Sequence, residues 1–141
     1  ELILLKINLM TNPSILREKS TEFGRSIIKC VSNISKEEKE YVLSKQLLKS
    51  GTSIGANISE AAFAQSKPEF IHKLSISLKE ANESRYWLNL LNQTNYLKEE
   101  EYKYLLSLNN DIIYLLIKSI KTAKENLAAT KMTNSKDANK P

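Results

Sequence analysis

Almost every residue type that would announce chemistry is scarce in this chain. Its 141 residues include one cysteine, Cys30, and one histidine, His72. A single thiol permits no internal disulfide and no thiolate metal cluster, and neither HExxH nor CxxC occurs. Only three glycines are present, and none forms a phosphate-cradling loop. Apolar runs such as residues 112–117 stop well short of the roughly 18 residues a membrane span requires. The apolar start ELILLKINLM lacks a basic leader and a small-residue cleavage site, so it does not read as a secretory signal. Met10 precedes a plausible helix entry, TNPS, which predicts a natural start there and makes residues 1–9 non-native or upstream sequence. These absences favour a cytoplasmic protein without metal or cofactor.

What remains is enough for one domain with a single core: 41% of the residues are hydrophobic. The formal charge is +5, unevenly spread. Residues 1–117 hold 15 basic and 14 acidic side chains, whereas residues 118–141 hold six lysines against two acids. A patch of that kind attracts nucleic acid or an acidic protein surface, although cations also suit helix C-termini and solubilising tails.

Hydrophobic periodicity predicts four helices. The first runs from about Ser14 to Ile34 on a stripe of Leu16, Phe23, Ile27, Cys30 and Val31. Ser35-Lys36-Glu37-Glu38 fits a capping box that opens the second, which continues to about Gln65. Ser66-Lys67-Pro68-Glu69 opens the third, ending near Asn92, with Asn95 placed to take a left-handed terminating conformation. Three successive glutamates, Glu99 to Glu101, open the fourth at its positive dipole end. That helix is expected to finish near Asn126, leaving residues 1–12 as an extension, 13–127 as the bundle and 128–141 as a disordered basic tail. Short connections then predict an all-α, antiparallel up-down four-helix bundle.

Gly51 and Gly55 lie one turn apart within the second helix, where each glycine costs about 1 kcal/mol relative to alanine. Close approach of another helix would offset that cost, so Gly51, Gly55 and Ser59 are expected to form a packing seam. The third helix carries Ile76, Trp87 and Leu90 opposite its main buried stripe, and the fourth carries a second apolar line through Ile113, Ile117 and Ile120. Two apolar faces on one helix imply two neighbours, so these six are expected at an interface between copies, with an indole buried inside the single chain as the alternative for Trp87.

The segments ILREKSTEFGRSIIK (15–29), VLSKQLLKSGTSIGANISEA (42–61) and EFIHKLSISLKEANESRYWLNLL (69–91) resemble a bacterial four-helix-bundle family. It is named for open reading frames in intervening sequences of 23S ribosomal RNA genes, and its members have at times been mislabelled ribosomal proteins. The likeness spans about residues 14–125. Asn95 departs from the family's frequent glycine at that turn, a position asparagine also serves. The resemblance implies assembly as a homopentameric ring. The chain is also similar to the basic accessory variability proteins of diversity-generating retroelements, which associate with reverse transcriptase and nucleic acid. No catalytic residue follows from either likeness.

Two functional readings result. In the first, the chain is a non-enzymatic oligomer that binds RNA or DNA, with Lys45, Lys49, Lys118, Lys121 and Lys124 as phosphate contacts; Tyr102 and Tyr104 could add stacking surfaces, although tyrosines at such positions more often serve packing. In the second, it is a scaffold ring that docks a reverse transcriptase, a ribosomal component or another protein without touching nucleic acid. Catalysis fits poorly: His72 has no second histidine beside it, Cys30 sits on an apolar stripe, and Ser50, Ser53 and Ser59 read as small packing residues.

Overall fold

The computed structural model describes residues 13–140. The expected extension over residues 1–12, and the native status of residues 1–9, lie outside the described residues. Four α-helices are present and, among the described residues, no strand: α1 (Pro13–Asn33), α2 (Leu43–Ala61), α3 (Lys67–Gln93) and α4 (Glu99–Ala138).

Helix α1 does not end where the capping box predicts. The chain continues through one π-helical turn, Ile34–Glu38, because Ile34 is buried and holds that turn against the core. Lys39 then breaks the helix in a left-handed conformation, φ 53°. The cap of α2 is therefore Glu40, not Ser35. Its carboxylate accepts from the backbone N–H groups of Val42, Leu43 and Ser44 at 3.0, 2.8 and 2.8 Å. Partial burial pushes this carboxyl upward, but those bonds outweigh it and hold Glu40 below its ordinary range.

The entry to α3 follows expectation with a one-residue change. Ser66 Oγ accepts from the Glu69 N–H at 3.2 Å, while the Glu69 carboxylate reaches back to the N–H of Gln65 rather than Ser66. Asn95 closes the turn after α3 with φ 66°. Helix α4 runs past the expected stop near Asn126. Residues 128–138 are helical, not disordered: they continue α4 with no glycine or proline to interrupt it before Pro141.

Each helix packs against the next in sequence, and α1 closes on α4. The pairings run in opposite senses along the two members of each pair. Gly51 meets Ile27 and Gly55 meets Ser20; Lys73 pairs with Glu60 and Ser77 with Ile54. Tyr102 bonds Asn89 and Asn109 bonds Ala81, while Tyr104 and Asp111 reach back to Glu22 and Lys19. Phe23, Ile27, Leu47, Ile54, Leu88 and Ile112 are among the side chains wholly enclosed at the centre.

Candidate nucleic-acid interface

Helix α2 meets its neighbours by two different means. Toward α1, a Cβ built on Gly51 would stand 3.0 Å from the two γ-carbons of Ile27, so the missing side chain sets the approach. At Gly55 the nearest atoms, on Ser20, would be 3.5 Å away, an ordinary contact. Ser59 is exposed and belongs to no seam. Each i,i+4 step drifts about 40° around a helix, which carries the line from the α1 contact into solvent. Toward α3, hydroxyls mediate the contact: Ser84 Oγ donates to Ser50 Oγ at 2.9 Å, and Ser77 Oγ donates to the Ile54 carbonyl at 2.8 Å.

The five lysines proposed from the sequence fall into two groups that the fold does not bring together. Lys45 and Lys49 are both exposed near the start of α2, on the turns before Ser50. Lys118, Lys121 and Lys124 lie on α4, where Ser119 and Ala123 line a cavity with Ile58 and Ala61 from the end of α2. Nine to twelve residues of α2 separate Lys49 from that level, about 14–18 Å of helix rise. Lys121 and Lys124 are exposed, whereas Lys118 is half-buried with its ammonium 5.1 Å from the Tyr114 ring centre. Sequence reasoning missed that cation–π contact; its i,i+4 spacing was the available signal. Beyond Ala123 the helix leaves the core, and Lys131 and Lys136 project from its exposed end.

The tyrosines do not offer free stacking faces equally. Tyr102 is partly buried and donates to Asn89 Oδ1 at 2.6 Å. Tyr104 is about half exposed, and its hydroxyl donates to Glu22 Oε1 at 2.6 Å, a bond that raises its pKa. Tyr114, 48% exposed, has no such hydroxyl bond among the described residues and sits beside Lys118.

The interface candidates divide likewise. Ile113 and Ile120 are in the chain's own core, because α4 packs against both α3 and α1 and needs a buried arc wide enough for two partners. Ile117 is 51% exposed between them. Ile76 and Leu90 are half-buried. Trp87 is also half-buried, packed against the core, with its indole N–H donating to Glu83 at 3.2 Å and Tyr86 meeting it edge-on.

Burial, with Glu101 nearby, pushes the Cys30 thiol up to about 12, so it is not a thiolate at neutral pH. Ser53 donates to the Lys49 carbonyl, and His72 is exposed. Glu80 is raised by burial and then by its neighbour Glu83. Among the described residues, no group of three or more His, Cys, Asp or Glu side chains is placed to hold a metal ion.

The model of the 23S rRNA-intervening sequence protein family matches residues 14–118. The chain belongs to that family. It is also similar to a crystal structure from Bacteroides thetaiotaomicron VPI-5482, described as a protein of unknown function from the S23 ribosomal protein family. Identity is 49% and the TM-score 0.76, over 77% of this chain and 97% of that one. None of the curated proteins compared matches. Of the lysines above, Lys45, Lys49 and Lys118 fall inside the stretch that matches the 23S rRNA-intervening sequence family, while Lys121, Lys124, Lys131 and Lys136 lie beyond it. No helix among the described residues is long and apolar enough to cross a membrane.

Proposed function

We propose that this chain is a non-enzymatic, cytoplasmic accessory protein that binds RNA or DNA through the basic end of α4. The observation that carries the reading is the exposed helical arm after Ala123, with Lys124, Lys131 and Lys136 standing clear of the core and Lys121 just before it. Lysines on a rigid rod space positive charge at intervals that a phosphate backbone can meet, without reading sequence. In this reading the helices form an antiparallel up-down bundle that assembles as a homopentameric ring. Five arms then act together, so contacts that are weak singly gain from multivalency. Lys45 and Lys49, far from the arm on the same copy, serve as a second, lesser contact.

A mobility-shift titration with an RNA fragment and a DNA duplex across a salt series tests this. Binding should weaken steeply with salt. Changing Lys121, Lys124 and Lys131 together to glutamine should reduce the logarithmic slope by about 1 for each phosphate that is no longer neutralised. No binding at low salt would end the reading.

The exposed pair of Tyr114 and Ile117 on α4 favours a second possibility: a ring that docks a reverse transcriptase, a ribosomal component or another protein. Capture of a host protein that survives nuclease treatment would support that reading over the first.

A further inference from the structure

One end of the four-helix arrangement is not filled by side chains of the described residues. A cavity of about 160 Å³ lies where Leu16 of α1, Ile58 and Ala61 of α2, Phe70 and Leu74 of α3, and Ala123 of α4 fail to meet. Alanines at two of these positions leave the space open. The floor is apolar; among the described residues, Arg17 and Lys67 are the charged residues on the wall, and no carboxylate lines it. Neither cation forms an ion pair among the described residues. Two acids close in sequence to the lining residues are engaged elsewhere: Glu60 pairs with Lys73 at 2.6 Å, and Glu69 accepts from the Gln65 N–H. Ser119, Thr122 and Asn126 add hydrogen-bonding groups on the α4 side.

A greasy recess of this size has room for one benzene-sized group, since an apolar cavity of roughly 150 Å³ accepts benzene. Two unpaired cations at its margin select a negative charge attached to that group. We propose that this bundle-end cavity is a binding site for a small amphipathic carboxylate with a single aromatic ring or short branched acyl tail. The tail sits among Leu16, Ile58, Phe70 and Leu74, and the carboxylate faces Arg17 and Lys67. The site is independent of the nucleic-acid reading, because it depends on none of the exposed arm lysines.

Three probes separate the contributions in methyl-detected NMR titrations of the full chain. Phenylacetate carries tail and charge, benzyl alcohol the tail alone, and acetate the charge alone. Phenylacetate is expected to shift the methyl signals of Leu16, Ile58, Leu74, Ala61 and Ala123 with a Kd on the order of 1 mM. Benzyl alcohol should bind about threefold more weakly, and acetate should leave those methyls unmoved. Arg17→Gln with Lys67→Gln should remove the preference for phenylacetate over benzyl alcohol while retaining both. Ala123→Leu should fill the recess and abolish both, with circular dichroism verifying the fold. The assignment fails if acetate and phenylacetate behave alike, or if the charge-removing variants keep the preference. It fails equally if the same methyls shift with protein concentration alone, which would make a second copy the occupant.

Discussion

Helix α2 touches α1 and α3 with equally small residues, yet the two seams work differently. Against α1 the closeness comes from an absent atom: Gly51 leaves room for the γ-carbons of Ile27. Against α3 it comes from hydroxyls, with Ser50 and Ser84 bonded to each other and Ser77 bonded to the Ile54 carbonyl, all four residues buried. The first seam is broken by adding volume, and the second by removing a donor. Small residues at helical spacing therefore do not define one kind of contact.

The largest expected effect breaks the first seam. Gly51→Leu should drive a side chain into Ile27 and cost about 3 kcal/mol, read as a lowered urea midpoint. Gly55→Ala and Gly24→Ala sharpen the contrast, because their new Cβ atoms meet an ordinary contact and open space respectively. Each should gain up to about 1 kcal/mol of helix propensity, whereas a loss at Gly55 comparable to Gly51→Leu would make the two glycines equivalent. On the other seam, Ser84→Ala removes the bond to Ser50 and should cost about 1 kcal/mol, with little change in the urea m-value. An unchanged midpoint would show that the hydroxyl pair contributes nothing there.

The smallest effect concerns where α2 begins, on which both seams depend. Glu40→Gln should lose somewhat less than about 1 kcal/mol at neutral pH, because an amide still caps but without the charge. The Glu40 carboxyl is lowered in the folded chain from an ordinary value of 4.5. Its contribution is therefore complete above pH 4.5 and fades as pH falls through the lowered folded value. Acid titration of stability should be shallower in the variant over that window. Identical acid limbs would remove Glu40 as the cap that matters.

Much of the helical plan was legible because local chemistry carried it. Ser66, Pro68 and Glu69 mark the start of α3, Asn95 takes its left-handed turn, and Glu99 to Glu101 open α4, each through bonds or fields spanning a few residues. The start of α2 was less legible because two sites could cap it, and burial of Ile34 decided in favour of Glu40 by extending α1 through a π turn. The basic end of α4 was visible as composition. Its separation from Lys45 and Lys49 was not, because charge in sequence says nothing of which end of a bundle a residue occupies.

By itself, the amino-acid order determined four amphipathic helices, their principal stripes and the concentration of lysine at the end. Periodicity and capping act within a few turns of one chain segment, so they need no tertiary partner. Only the packed structure decided that Gly51 is tight and Gly55 is not, that Ser59 faces water, that Ile113 and Ile120 serve the chain's own core, and that alanines leave a recess beside Arg17 and Lys67. Each of those depends on the rotation and separation of neighbouring helices, and these are set by the sum of contacts between segments distant in sequence.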